Sequence, residues 1–480
     1  MIRARRSAVF GAFVAAALTA CRVGPNYHAP TLPKGAEAPL VSLNAAAETP
    51  ALPPDAWWRL YDDAQLDQFV AEALTANRNL AAADANFAAA RAALSAVHAY
   101  RYPSTAAVAG GIYGRDPVTE EILELGGHPP QSIWIFEDLI QAAYEVDLFG
   151  RVHRAIEEAN ANAEAVAAAR DGVKVVVAAE TARAYAAICA LGEELVVAHH
   201  SLDVVSHEAD ITAQRQVAGG DSAFDVTRAQ ALVAEVRSSI PRLVGERRAA
   251  LFELAALLGR TPAEAPRDLD ACVTPPQLVA LIPVGDGAAL IRRRPDVREA
   301  DRRLAAATAA IGVATADLYP TIRLLGFYGG IAAQLSQLNT NIGQASGVGP
   351  SISWSFPNMA GPRARVRQAK AAQTASLASF DSVVLTALKE IEQALTLYAA
   401  ALENRQSLLD ARDRIHEAFR IAHEQFRAGG ITNLDLLTTE QSLVALDAAV
   451  ASSDAALVQN QIAVFKALGG GWRGEGQARR

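Results

Sequence analysis

Apolar side chains recur at helical spacing over most of the chain. After Asp63, which can cap a helix, they follow one face as far as about residue 98, at Leu66, Phe69, Val70, Ala73, Leu74, Leu80, Phe87 and Leu94. The same period predicts further helices over residues 151–217, 222–258, 286–317, 363–427 and 432–468. At 1.5 Å per residue the two longest would each measure roughly 100 Å. The pattern therefore predicts tall helical hairpins.

Strand-like alternation follows each of two Tyr-Pro pairs. The predicted strands are Thr105–Tyr113, Trp134–Leu148, Thr321–Ile331 and Val348–Phe356, with loops over residues 116–131 and 332–346. The second strand is the clearest, with an apolar face that only Asp138 interrupts. Pro350 has no N–H to donate, so it is expected near the start of its strand. Four strands cannot close a barrel, so in lipid several chains would have to pool theirs.

The chain contains the same pattern twice. Residues 180–259 align with residues 390–469 at a constant shift of 210 and without a gap. The shift places Gly219-Gly220 on Gly429-Gly430 and Asp225 on Asp435. Each copy is interpreted as a long helix, a Gly-Gly turn and a helix running back. The sequence thus predicts an internal duplication, in a mainly α fold with a four-stranded β portion.

The N-terminus has the composition of a secretory signal peptide. Arginines at positions 3, 5 and 6 precede the apolar run Ala8–Leu18, which is too short to span a membrane. Leu18-Thr19-Ala20-Cys21 resembles the bacterial lipobox, in which the cysteine is acylated; the alternative is an ordinary cleavage site with a chance cysteine. Acyl chains on Cys21 would hold the protein on a membrane. No later stretch reaches eighteen uninterrupted apolar residues, so no spanning helix is expected in the mature chain.

The composition of the chain restricts the kinds of packing and partner that it can have. Hydrophobic residues make up 51% of the chain but aromatic ones only 6%, so small side chains suit close helix packing. The net charge of −8 argues against nucleic acid as a partner. Three cysteines are too few for a disulfide framework. Cys189 and Cys272 could pair only if the fold brought them together, and buried free thiols are the favoured interpretation.

Nothing in the sequence points to an enzyme. The histidines at positions 199, 200, 207, 416 and 423 lack the spacing of a metal-binding helix face and are interpreted as solvated. Gly347-Val348-Gly349 precedes a strand and not a helix, so it is not a phosphate-binding loop. We expect no catalytic residue, no metal site and no cofactor.

Several motifs resemble one family. The carriers are Cys21-Arg22-Val23-Gly24-Pro25-Asn26-Tyr27, Trp57-Trp58 with Leu60-Tyr61-Asp62-Asp63, Tyr144-Glu145-Val146-Asp147-Leu148-Phe149-Gly150-Arg151, Arg293-Arg294-Pro295-Asp296-Val297, and Ile311-Gly312-Val313-Ala314 with Tyr319-Pro320. Their order and spacing are similar to those of outer-membrane efflux proteins of the TolC and OprM type, in the lipoprotein branch. The family's Trp-Pro-Leu-Phe-Asp-Gly-Gly is replaced by Trp354-Ser355-Phe356-Pro357-Asn358-Met359-Ala360-Gly361, so the turn there is not predicted by the resemblance.

The resemblance implies an architecture and partners. Three chains would contribute four strands each to a twelve-stranded transmembrane β-barrel, and their helices would form a periplasmic α-barrel. This homotrimer would be the passive exit duct of a tripartite system with a periplasmic adaptor and an inner-membrane RND-type pump. It would be lipid-anchored in the outer membrane and release small toxic compounds outside. The alternatives are a duct for type I protein secretion and a periplasmic adaptor lipoprotein.

The resemblance also implies site residues at the hairpin tips. Adaptor-docking positions carry over to Gly219, Gly220 and Ser222 and to Gly429, Gly430 and Thr432. An acidic ring that gates the tunnel carries over to Asp435, with Asp225 at the equivalent place in the first copy. Three carboxylates at a narrow pore would attract cations and raise one another's pKa. The alternative for both acids is helix capping. The glycines could serve only the turns, although the turn and docking roles can both hold.

These interpretations divide the chain into segments. They are a signal peptide (1–20), a lipid-anchored tether (21–56), a first structural repeat (57–265), a linker (266–285), a second structural repeat (286–469) and a flexible C-terminal tail (470–480).

Overall fold

The computed structural model describes residues 22–42, 48–49, 53–115, 132–278, 281–285 and 287–470. The helices are α1 (Ala64–Ala76), α2 (Arg78–His98), α3 (Arg151–Val217), α4 (Ala223–Leu257), α5 (Gly287–Arg293), α6 (Pro295–Ala316), α7 (Ala360–Arg427) and α8 (Asn433–Ala467). The strands are β1 (Glu48–Thr49), β2 (Ser104–Gly114), β3 (Ile133–Val146), β4 (Ile282–Pro283), β5 (Thr321–Ala332) and β6 (Gln344–Ser353). Short 3₁₀ turns lie at Trp57–Tyr61, Ala99–Arg101, Pro262–Glu264, Arg267–Ala271 and Leu335–Gln337.

The order of elements recurs along the chain. Two shorter helices, two strands, a long helix and a returning helix appear first as α1 to α4 and again as α5 to α8. The ends of α3 and α7, Val217 and Arg427, differ by the shift of 210 read from the sequence, and so do both ends of α4 and α8. The predicted long helices and their returning partners are confirmed.

The chain forms two compact units, and neither corresponds to one repeat. Among the described residues, the first unit comprises those within 22–30, 88–165 and 300–379, and the second comprises those within 31–87, 166–299 and 380–470. Each therefore draws on both halves of the sequence.

The first unit contains an antiparallel sheet in the order β2-β3-β5-β6. Its register places the apolar positions of neighbouring strands on one face: Ile140 lies opposite Tyr328, and Ile322 lies between Val146 and Ile352. On the other face Glu145 lies opposite Arg323, with their charged atoms 3.8 Å apart. The alternation predicted for the second strand thus recurs in β6, whereas β5 also carries Leu325, Phe327 and Ile331 on the opposite face. The face that carries Ile140 and Tyr328 exposes large apolar side chains, among them Trp134, Ile140, Tyr328, Val348 and Ile352.

The N-terminal segment of the described chain is anchored in this same unit. The Arg154 guanidinium donates to the carbonyls of Val23 and Gly24 at 3.2 and 3.3 Å and to Oδ1 of Asn26 at 2.8 Å. A side chain on Gly24, whose φ is 87°, would lie 2.5 Å from the Cα of Gly312. Two motifs that are distant in sequence therefore meet here, which explains their glycines.

The second unit is built around an apolar core. Trp57 is fully buried and stacks on Phe465 with ring centroids 4.8 Å apart. Leu66, Ile188 and Leu254 bring α1, α3 and α4 into the same cluster. The predicted cap of α1 is confirmed, because Oδ1 of Asp63 accepts from the amides of Gln65 and Leu66 at 2.9 and 3.0 Å.

Two of the predicted helices are interrupted. The helix expected over residues 66–98 ends at Asn77, whose Oδ1 caps α2 through the amides of Asn79 and Leu80. The helix expected over 286–317 breaks at Arg294, because Pro295 has no N–H and begins α6. Periodicity alone did not separate these pairs, since each pair continues the same apolar stripe.

The fourth strand differs from its prediction at both ends. It begins at Gln344 and ends at Ser353, because Trp354 leaves the sheet and stacks on Phe356 with centroids 4.8 Å apart. The expectation that Pro350 starts the strand is wrong: it is the seventh residue of β6. A proline is tolerated there because β6 is an outer strand of the described sheet. The predicted loop at residues 116–131 lies outside the described residues.

The interpretation of Cys189 and Cys272 as free thiols is wrong. They form a disulfide across 83 residues of chain. The guanidinium of Arg247 accounts for the approach, since it donates to the carbonyls of Leu269, Asp270 and Cys272 at 2.9, 2.9 and 2.8 Å. These bonds hold the segment after α4 against α4, and Nε of Arg247 donates to the carbonyl of Ile188 in α3 at 3.2 Å, which brings the segment beside Cys189. No local spacing in the sequence signals such a contact.

Two helices, α3 and α8, contain stretches long and apolar enough to cross a membrane by length and composition alone. In α3, 72% of that stretch is buried within the protein, as in a core helix. The corresponding share in α8 is 28%, but α8 also carries Glu440, Asp447 and Asp454, and charged groups of this kind are rare on lipid-facing helices. We interpret neither stretch as a membrane span.

Reduction of the disulfide should destabilise the protein. Closing a loop of 83 residues stabilises by about 4.5 kcal/mol in the chain-entropy model. We expect thermal unfolding of the purified protein to shift to lower temperature in reductant, and a Cys189→Ser/Cys272→Ser variant to unfold at that lower temperature with or without it. Equal unfolding temperatures for the wild type in both buffers would contradict the pairing.

Candidate functional site

The two hairpin tips have closely similar turns. After α3, the amides of Gly219 and Gly220 donate to the carbonyls of Gln216 and Arg215 at 3.0 and 2.8 Å. After α7, the amides of Gly429 and Gly430 donate to Phe426 and Gln425 at 3.0 and 2.8 Å. The first glycine of each pair has a positive φ, 80° and 75°, which ends a helix without the strain that a side chain would add. Both Gly-Gly pairs therefore serve the turns, and this is compatible with the predicted docking positions.

A capping box begins the returning helix at each tip. The hydroxyl of Ser222 accepts from the amide of Asp225 at 3.2 Å, and the carboxylate of Asp225 accepts from the amide and hydroxyl of Ser222 at 3.0 and 2.6 Å. Thr432 and Asp435 repeat the arrangement at 3.3, 3.0 and 2.6 Å. These reciprocal bonds satisfy helix-end amides that would otherwise have no intrahelical partner.

Hydrogen bonding lowers the pKa of both aspartates. The Ser222 hydroxyl, followed by its amide, lowers the pKa of Asp225, and Thr432 acts on Asp435 in the same way. A carboxylate with a lowered pKa stabilises its helix above the ordinary aspartate pKa, and it loses that effect as the pH falls from the ordinary pKa through the lowered one. Within one chain the capping alternative therefore describes both acids.

The tips contact each other through residues that the sequence analysis did not identify. The guanidinium of Arg215 lies over the ring of Phe426 at 4.2 Å and pairs with Asp221 at 3.1 Å. The amide nitrogen of Asn433 donates to Oγ1 of Thr212 at 3.2 Å. Under the shift of 210 these contacts involve positions where the two copies differ: Gln425 corresponds to Arg215. Positions at which the two repeats differ in sequence could therefore have indicated these contacts.

A groove of about 1080 Å³ lies on the same unit. Its lining includes His200, His207, His416 and His423. Within the described parts of the chain, no group of three or more His, Cys, Asp or Glu side chains is placed to hold a metal ion. The candidate lipidation site, Cys21, lies outside the described residues.

Comparison with known proteins shows what this arrangement resembles. A family profile described as "Outer membrane efflux protein" matches residues 69–260 and 288–470. Outer membrane protein OprJ of Pseudomonas aeruginosa is 30% identical over 478 residues, 96% of this chain and 95% of that protein. The antibiotic efflux pump outer membrane protein ArpC of Pseudomonas putida is 28% identical over 465 residues, 95% and 93% of the two chains.

Solved structures of outer-membrane channels have a similar fold. The outer-membrane channel OprN matches with a TM-score of 0.88 at 34% identity, over 94% of this chain and all of that one. The open state of the Neisseria gonorrhoeae MtrE outer membrane channel matches with a TM-score of 0.82 at 25% identity, over 94% and 99%.

These matches define the class of the protein, which is an outer-membrane channel component. The family profile covers more than half of the chain, in one segment for each repeat. The chain belongs to the outer membrane efflux protein family. This family consists of membrane channel components and not of enzymes.

Removal of the cap at one tip should loosen the start of α8. Thr432→Ala deletes the hydroxyl that accepts from the amide of Asp435, and loss of an N-cap typically costs about fivefold in a local opening equilibrium. We expect amide hydrogen exchange at residues 433–436 to accelerate by roughly that factor. The matched control is Thr438→Ala, because its hydroxyl bonds only to a carbonyl one turn back within α8. Equal acceleration in both variants would contradict a specific cap.

Proposed function

We propose that the protein is the outer-membrane exit duct of a tripartite efflux pump. It passively conducts small toxic molecules, delivered through a periplasmic adaptor from an inner-membrane RND-type pump, to the outside. The observation that carries the proposal is the four-stranded sheet with an exposed apolar face, in a chain of the outer membrane efflux family. The pump supplies the energy, and this chain catalyses no reaction.

The proposed assembly is a homotrimer. In the part of the chain that the structure describes, β2 and β6 each pair on one side only, so their other edges present free backbone groups. Pairing β6 of one copy with β2 of the next would satisfy these groups and close a twelve-stranded barrel from three chains. The helices would then form the periplasmic tunnel.

The proposed gate is at the hairpin tips. Three copies of Asp435 around a narrow opening would attract cations and restrict anions. Within each chain, only the second repeat would supply a residue to the ring. Asp225 of the first repeat would act at the neighbouring tip. The docking positions for the adaptor are Gly219, Gly220, Ser222, Gly429, Gly430 and Thr432. Capping and gating are compatible, since a capping carboxylate keeps its negative charge.

The proposed anchor is an acylated Cys21. Arg22 follows it directly and packs against Gly150, where a side chain on that glycine would lie 3.2 Å from the Cα of Arg22. The chain is thus held close to the end of β3 immediately after the acylated position. Lipid on this residue would fasten the protein to the outer membrane beside its strands.

Channel recordings test the function and the gate together. Purified full-length protein in planar bilayers should give discrete conductance steps, and absence of steps would exclude a duct. Asp435→Asn removes the charge but retains a side-chain oxygen for the cap, so cation preference should fall. Conductance should also rise, if the ring lines a tip that is closed when idle. Thr432→Ala weakens the cap but leaves the charge, and it should retain the cation preference. If Asp435→Asn conducts and selects like the wild type, Asp435 does not line the gate.

Lipid labelling tests the anchor. Cells that express the wild type should incorporate radioactive palmitate into the protein, and Cys21→Ala should abolish the label because the acylated thiol is removed. Cys189→Ser is the matched control, since that residue is disulfide-bonded and should not affect labelling. Label retained by Cys21→Ala would show that the signal peptide is not of the lipoprotein kind.

A further inference from the structure

Glu440 in α8 is a buried carboxylate without a partner. Its exposed fraction is 0%, and neither of its oxygens has a hydrogen-bond partner among the described residues. It follows Leu437 by three residues and precedes Val444 by four, so the three side chains share one face of α8. An ionised carboxylate in such a place is strongly disfavoured, because no donor replaces the water it loses.

The surroundings of Glu440 are apolar on both sides. Leu437 packs with Ala209 of α3 and Ala229 of α4. Val444 packs against a second cluster, which contains Val205, Leu232 and Val236. The carboxyl group therefore lies between two apolar clusters in which α8 packs against α3 and α4. This packing holds the first turns of α8, which begin at the Thr432 cap.

A second acid faces the same place. Glu208 of α3 is 8% exposed and lies between Val205 and Ala209 along its helix. Burial and, to a smaller extent, the charge of Glu208 raise the pKa of Glu440 to about 7. Nε2 of His423 on α7 lies 3.5 Å from Glu208, so the imidazole offsets that charge only when it is protonated.

We propose that Glu440 is a proton-dependent latch of the tip, which holds the start of α8 against α3 and α4 when neutral and loosens it when ionised. The inference deepens the proposed gate and rests on the proposed function. A carboxyl that binds its proton more tightly when packed stabilises the packed state at low pH. That stabilisation declines as the pH rises from the ordinary value of 4.5 to about 7.

The other charged groups nearby have partners of their own. On α7, Arg420 pairs with Glu417 and Glu424. His416 pairs with Asp447 of α8 at 3.1 Å. On α3, Arg215 pairs with Asp221 beside the turn. On α4 the residues packed against α8 are apolar, and Asp225 of that helix is used in its cap. Glu208 is accordingly the charged group that acts on Glu440.

The acid pair occurs once in the chain, with Glu208 in the first repeat and Glu440 in the second. The position equivalent to Glu440 in the first repeat is Gln230, which is exposed, and the position equivalent to Glu208 is Ala418. Neither member of the acid pair therefore follows from the duplicated scaffold. Glu440→Gln also gives the second repeat the neutral residue that the first already carries.

Amide hydrogen exchange on the full-length protein tests the latch. Protection factors, corrected for intrinsic rates, are compared at pH 5 and pH 8 for residues 437–444. In the wild type we expect protection to fall on the order of a hundredfold, since each unit of pKa shift is a factor of ten. Glu440→Gln and Glu440→Leu should show no such fall, because neither can ionise. Glu208→Gln should shift the transition to lower pH, and Gln230→Glu, at an exposed position, should leave it unchanged.

The outcomes separate the latch from the channel. A pH-dependent loss of protection that persists in both Glu440 variants, or that only His423→Gln removes, would overturn the proposal. A wild type with equal protection at both pH values would also overturn it. If protection follows the expected pattern but the protein conducts no ions in bilayers at either pH, the latch stands and the proposed function fails.

Discussion

The backbone hydrogen-bonding groups at the two outer edges of the sheet set the main constraint on this protein. Water can satisfy such groups, but hydrocarbon cannot, and each unsatisfied group in lipid costs several kcal/mol. Because β2 and β6 each pair on one side in the described structure, the sheet is complete in a membrane only when further copies supply strands. Association would then be a condition for insertion. The apolar face of the sheet makes a separate demand, which is contact with lipid, since in water its large apolar side chains would stay exposed.

The tips answer a different requirement, which is to reverse a very long helix without losing its last hydrogen bonds. A positive-φ glycine after α3 and α7 lets the following amides bond back to the helix, and a capping box then begins the next one. Placing a carboxylate in each box satisfies amides and also leaves a negative charge at the tip. The same atom that folds the turn is thus available to act on ions, so capping is not evidence against a role in conduction.

How much could be predicted depended on whether the cause was local. The ends of α3, α7, α4 and α8 follow from glycines and capping residues, and the alternation of β3 follows from its own side chains. The breaks at Asn77 and Arg294 were missed because apolar periodicity runs through them, although Pro295 was a local signal. The pairing of Cys189 with Cys272 could not be predicted, since it depends on Arg247 and a segment more than eighty residues away from Cys189. Capping by Asp225 and Asp435 was one of two interpretations, and the spacing of these residues did not decide between capping and gating.

The two repeats also show where a duplicated scaffold becomes specialised. Backbone-determined features, such as the turn glycines and the caps, are kept in both copies because the same reversal must be made twice. Side chains that face the other hairpin are under no such restriction, because a residue and its repeat equivalent have different neighbours. Arg215 stacks on Phe426, while their equivalents are Gln425 and Gln216, and Asn433 bonds to Thr212, while their equivalents are Ala223 and Ala422. Contacts between the hairpins are therefore asymmetric by construction. In such a chain, positions that differ between the copies are where interactions specific to the assembled tip should be sought.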